Sequence, residues 1–204
     1  MPAVNQDLHG SAPDNGAVAL LLIDVINDLE FPGGAELLPV AMAMAERLAD
    51  LKQAASRARI PIIYVNDNFG KWRSQFQQLI DHCLMDGVRG QPLVQLLKPE
   101  DADYFVLKPK HSGFFATPLE TLLAYLGAKT LIITGLTSDS CVMFTAHDAY
   151  MRDFRLVVPA DCVAAIDPDD QRRALAYMAR VMKADVRSSA KLDLERLNTM
   201  EDYA

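Results

Sequence analysis

The chain has 204 residues, 50% of them hydrophobic, and carries a net charge of −7 with a pI near 5.0. That is enough for one large domain with a sizeable core, and the acidic balance argues against nucleic acid or an anionic membrane as partner. Three cysteines make no disulfide framework, the N-terminus has no basic region followed by an apolar run, and no apolar run reaches transmembrane length, so a cytoplasmic protein is expected.

Residues 1–16 are polar and rich in Pro, Gly, Asn and Asp, and read as a flexible N-terminal arm before a single domain, 17–204. Ala17–Val25 is a continuous apolar run with Asp24 near its end, the pattern of a strand buried on both faces of a parallel sheet. A loop containing Phe31-Pro32-Gly33-Gly34 follows. Helical spacing then runs from Pro39 to Arg59 through Val40, Met44, Leu48, Leu51 and Ala55. Ile60–Val65 reads as the second strand and Asn66–Trp72 as a polar loop with aromatics. Arg73 to about Leu84 is helical, and Leu93–Leu97 makes a shorter turn. Asp103–Leu107 is the third strand, ending at Lys108, and Lys110–Thr117 is a loop.

Thr117-Pro118 opens the next helix, with Thr117 as N-cap and Gly127 as the stop. Thr130–Thr134 is the fourth strand. A helix from Ser140 to Arg152, a strand at Phe154–Val158, a loop at Asp161–Asp167, a helix at Pro168–Met182 and a short sixth strand at Ala184–Arg187 complete the pattern, with a last turn at Leu192–Leu197. Strands alternate with helices about six times. This predicts an α/β, doubly wound, mostly parallel six-stranded sheet with helices on both faces.

In such a sheet ligands bind outside the C-terminal strand ends, and three reactive side chains stand there: Asp24, Lys108 and Cys141. Cys141 follows Leu131–Gly135 and the polar turn Thr137-Ser138-Asp139-Ser140, in the first turn of a helix. A helix N-terminus supplies unpaired N–H groups and partial positive charge, which lower a thiol's pKa and can hold an oxyanion. Taken alone, Cys141 also fits a small core residue at a helix start. Buried unpaired charge is costly, so convergence of all three in one cleft satisfies each, with Asp24 accepting the thiol proton and Lys108 stabilising the thiolate.

The segments LLLIDVINDL, VNDNFGKW, FVLKPKHSGFFATPLETLL and GLTSDSCVMFTAHDA, in this order, resemble the isochorismatase-like cysteine hydrolase superfamily over about residues 17–187. The resemblance implies a catalytic Asp24-Lys108-Cys141 triad. It also implies a cis peptide at Leu136–Thr137 that turns the Thr137 N–H, beside that of Cys141, toward an oxyanion. The implied chemistry is metal-independent hydrolysis of a C–N bond in a small amide or ureide through a thioester, without a cofactor. Nicotinamidases of the superfamily hold a metal through an Asp-x-His pair. Here that stretch is Asp67-Asn68-Phe69, so no metal site is expected. An enol-ether hydrolase and a non-catalytic regulatory module are the alternatives. Members are commonly oligomers, so a homodimer or homotetramer is expected, with a small-molecule substrate as the other partner.

Phe31, Asp67, Phe69, Trp72 and Ser112 are candidate pocket residues, and Asn66 and Arg73 share the Trp72 loop. His111, three residues after Lys108, reads as a surface histidine, with contact to substrate as the alternative, and His147 reads as structural. Cys83 and Cys162 read as small core or loop residues.

Overall fold

Alternation along the first apolar run sets the layers. In β1 (Val18–Ile23) every residue is buried. Val18, Leu20 and Leu22 belong to one hydrophobic layer, and Ala19, Leu21 and Ile23 to the other. A strand with two apolar faces has to be covered on both, and each fully buried side chain of this size contributes roughly 1.5–3 kcal/mol. The computed structural model describes residues 16–68 and 75–199. Of the N-terminal arm only Gly16 is among them.

The first layer is built by α1 (Gly34–Arg57), α2 (Phe76–Met85), α3 (Gln91–Leu96) and α7 (Leu194–Thr199). The second is built by α4 (Leu119–Leu126), α5 (Cys141–Tyr150) and α6 (Pro168–Val181). Between them the sheet runs in the order β3-β2-β1-β4-β5. β2 is Ile62–Asp67, β3 Tyr104–Lys108, β4 Thr130–Leu136 and β5 Arg155–Val157. All of these pairings are parallel. The chain grows outward from β1 to β3, then returns to β4, so the topological switch point lies between β1 and β4.

Several boundaries differ from the sequence expectation, β2 and β4 among them, which run two residues further, to Asp67 and Leu136. The sixth strand is β6, Val163–Ala164, pairing with Gly135 and Leu136 beyond the reach of β5. Two residues are too few for periodicity to reveal. Ala184–Arg187 forms no strand; it makes a single parallel bridge between Asp185 and Val157. Helix α1 starts at Gly34, a turn before Pro39. Proline lacks the N–H for a helix interior, which favoured Pro39 as the start. The extra turn is secured by the Gly34 N–H on the Phe31 carbonyl and the Leu37 N–H on the Gly33 carbonyl, both 2.9 Å. Helix α4 starts at Leu119 with Pro118 as its N-cap, one residue past the expected start, and Thr117 Oγ1 accepts from the Leu119 N–H at 3.2 Å. Gly127 ends α4 at φ 74°, and Asp167 caps α6 by accepting from the Asp169 N–H.

Candidate active site

The register of the sheet brings its chemistry to one edge. Ile23 pairs with Val65 on one side and Gly135 on the other, and Asp67 pairs with Lys108. The ends of β1, β2, β3 and β4 are therefore level. Val106 and Lys108 are the buried residues of β3, and Val106 packs in the layer of α5, so Lys108 points toward that helix. Asp24, directly after β1, takes a left-handed φ of 51°. Its N–H donates to the Val65 carbonyl at 3.0 Å, and its Oδ1 accepts from the Asp67 N–H at 2.7 Å. Cys141 is the first residue of α5, so its own N–H has no partner within the helix. The Leu136–Thr137 peptide bond is cis, and the Thr137 carbonyl accepts from the N–H groups of Ser140 and Val142, both at 3.1 Å.

The three side chains meet. Lys108 Nζ is 2.9 Å from Asp24 Oδ2 and 3.5 Å from Cys141 Sγ, and it donates to the Lys110 carbonyl at 3.2 Å. Asp67 Oδ2 stands 3.6 Å from the same nitrogen. The Asp24 carboxylate is hydrogen-bonded to the thiol.

Burial raises the Asp24 pKa above the ordinary carboxylate value, outweighing the pull of Lys108 and the thiol. Burial first, and the Asp24 carboxylate second, push the Cys141 thiol up to about 12. This corrects the lowered thiol expected from a helix start: the dry surroundings and the adjacent carboxylate outweigh the helix N-terminus. Burial pulls Lys108 down, but Asp24, the sulfur and Asp67 together hold it above its ordinary value. The resting arrangement is a lysine cation beside a neutral thiol whose proton faces a carboxylate.

The loop after β3 is fastened to α5. Thr145 Oγ1 donates to the Cys141 carbonyl at 2.7 Å and accepts from the Gly113 N–H at 3.0 Å. Ser112 Oγ donates to Asp148 and accepts from the Phe114 N–H. Arg152 holds Asp148 in turn at 3.1 Å and lies over the Phe114 ring. The Ser112 hydroxyl is thus committed to the loop's own structure.

Of the other candidates, Asp67 reaches the site. Asn66 ties β2 to the loop after β1 through its Nδ2 on the Ile26 carbonyl, 2.7 Å. Phe31 is exposed on the approach to α1. Phe69, Trp72 and Arg73 lie outside the described residues. His147 packs against Tyr177, and Cys83 and Cys162 are fully buried. The contact of His111 with the thiol was missed. The residue is exposed, yet its Nδ1 sits 3.6 Å from Cys141 Sγ. The available signal was its place three residues after Lys108, in a loop leaving a catalytic strand end. Among the described residues no group of three or more His, Cys, Asp or Glu side chains is arranged to hold a metal ion, and no helix is long and apolar enough to cross a membrane.

A family model described as the Isochorismatase domain matches residues 18–191. The isochorismatase family protein YaaI of Bacillus subtilis (strain 168) is 37% identical over 174 residues, 85% of this chain and 95% of that protein. The crystal structure of N-carbamoylsarcosine amidase from Thermoplasma acidophilum superposes with a TM-score of 0.66 at 30% identity, covering 86% of this chain and 98% of that one. Ureidoacrylate amidohydrolase RutB of Methylorubrum extorquens is 36% identical over 91 residues, 45% of this chain but only 37% of RutB. With a family model matched along most of its length and a relative similar along nearly all of its own, the chain belongs to the isochorismatase family of hydrolases.

Proposed function

We propose that this protein hydrolyses a C–N bond of a small amide or ureide through an acyl-thioester on Cys141. The observation that carries the reading is the thiol's contact with both Asp24 and Lys108 at the switch point of the sheet. A thiol held up near 12 is a poor nucleophile on its own, so attack requires its proton to leave as the C–S bond forms. Asp24 is the acceptor in contact. Lys108 stabilises the charge passing through sulfur and carboxylate. The N–H groups of Thr137 and Cys141 hold the oxyanion on the attacked carbonyl. Asp24 then protonates the departing nitrogen, and water releases the acid.

Two similar proteins named above are an N-carbamoylsarcosine amidase and a ureidoacrylate amidohydrolase, which supports including ureides beside simple carboxamides in the proposed substrate class. The test is ammonia release from a panel of small amides and ureides, with wild type and Cys141→Ala in parallel and a chelator present. Release that needs Cys141 and survives chelation is expected. Release of equal rate from Cys141→Ala would refute the thiol mechanism.

A further inference from the structure

A second base stands on the solvent side of the sulfur. His111 is carried by the loop after β3, the same loop that Thr145 and Asp148 fasten to α5. Its ring stacks on Phe144 of α5 with centroids 5.4 Å apart. Nδ1 is 3.5 Å from Ser140 Oγ and 3.6 Å from Cys141 Sγ. The Ser140 hydroxyl can donate a proton, which suits an imidazole carrying its hydrogen on Nε2 and accepting at Nδ1. Among the described residues no carboxylate is within hydrogen-bond distance of this ring. Lys108 and Asp24, which contact the sulfur, are shielded from solvent, and Asp67 beside Lys108 is partly exposed.

Asp24 is poorly placed to serve an incoming water. It is 6% exposed, with Oδ1 on the Asp67 N–H and Oδ2 on Lys108. Water reaching a carbonyl carbon attached to Sγ arrives from the open side, where His111 stands.

Resting on the thioester reading above, we propose that His111 is a further catalytic residue of this site, the general base for the second half-reaction. Its Nδ1 takes a proton from water as the water oxygen bonds the acyl carbon. The C–S bond then breaks, and the sulfur leaves beside Lys108. The imidazolium proton returns to the sulfur, so that acid and free thiol are the products. Asp24 serves acylation and His111 deacylation.

The probe is 4-nitrophenyl acetate, whose burst of nitrophenolate reports acylation and whose steady rate reports deacylation. The expected result is that His111→Ala and His111→Gln keep the burst and lose about a hundredfold in steady rate. Acetylated Cys141 then accumulates by mass, and added imidazole restores the rate of His111→Ala, because the site left vacant is exposed. A purely structural histidine would not give imidazole rescue beyond the rise that imidazole produces with wild type and with Cys141→Ala. A steady rate within about twofold of wild type in both variants, or a loss that imidazole does not relieve, overturns the role of His111. Absence of any Cys141-dependent release of nitrophenolate from wild type is a different outcome, because it counts against the thioester reading itself and this role with it.

Discussion

Lys108 Nζ stands 2.9 Å from Asp24 Oδ2, with the lysine side chain wholly shielded from solvent and the aspartate side chain 9% exposed. Removing one partner of a buried pair leaves the other charge uncompensated, at a cost of about 3–5 kcal/mol. Lys108→Met is expected to lower the unfolding free energy read from urea denaturation by that amount, and Lys108→Met with Asp24→Asn to regain part of it. A single variant as stable as wild type would mean that water reaches the pair.

Activity should carry the signature of Asp24. Only the carboxylate can take the thiol proton, and burial sets its pKa above 3.8. The rate is therefore lost as pH falls through a value higher than an ordinary aspartate's, and recovers as pH rises through it. Asp24→Asn should remove that limb and at least about a hundredfold of kcat/KM. The pH profile of kcat/KM against any substrate found in the ammonia screen decides the matter. An acid limb unchanged in Asp24→Asn would assign the proton acceptor elsewhere.

Cysteine labelling separates acidity from access. Burial pushes Cys83, Cys141 and Cys162 alike up to about 12, so pKa does not distinguish them. Exposure does: Cys83 and Cys162 are 0% exposed, whereas Cys141 is partly open. Iodoacetamide should label Cys141 alone in the folded protein, and all three in urea. Asp24→Asn should speed labelling of Cys141, since the carboxylate that holds its thiol up is gone while Lys108 remains beside the sulfur. Peptide mass mapping reads both outcomes.

Why this much was visible beforehand follows from where the information sits. Asp24, Lys108 and Cys141 interrupt apolar runs at strand ends, and a parallel sheet aligns those ends, so their convergence could be read from pattern alone. β6 could not, because Val163 and Ala164 acquire strand geometry only by meeting Gly135 and Leu136. The first turn of α1 was concealed by Pro39, a residue that signals a start. The direction of the Cys141 shift depends on burial and on the distance to Asp24, neither of which is a property of the local sequence. The His111 contact was lost for the same reason, since an exposed loop histidine is defined by what the loop folds against.

Gly135 is required by the close approach of β4 to β1. Its φ is 105°, and a Cβ there would stand 2.1 Å from the Ile23 carbonyl oxygen, which is backbone and cannot swing away. Gly135→Ala should cost more than about 3 kcal/mol, in the range reserved for strain at special backbone positions. Gly87 is the control: it also has positive φ (67°), but nothing lies within 4 Å of the added carbon. Gly87→Ala should cost only the left-handed conformation, about 1–2 kcal/mol. Chemical denaturation of the two variants side by side tests the contrast, and equal losses would show that close packing at the switch point is not the cause.

Stability should also respond to pH through His82. Its Nδ1 is 2.7 Å from Asp86 Oδ2 and its Nε2 is 3.2 Å from Asp28 Oδ2, so both ring nitrogens face carboxylates. A neutral imidazole donates from one nitrogen only, whereas the imidazolium donates from both. The hydrogen bond that the ring donates to Asp86, then the one to Asp28, accordingly hold the His82 pKa above 6.5. A pKa raised on folding contributes stability that is fully present below the unfolded value of 6.5 and is lost as pH climbs through the higher folded value. The ring is 38% exposed, and solvent screening keeps the contribution below about 1 kcal/mol. The urea midpoint of wild type should therefore fall slightly between about pH 5.5 and about pH 8.5 relative to that of His82→Gln, in which this link between α2 and the loop after β1 does not titrate. Parallel pH dependences in the two proteins would show that the imidazolium does not stabilise the fold.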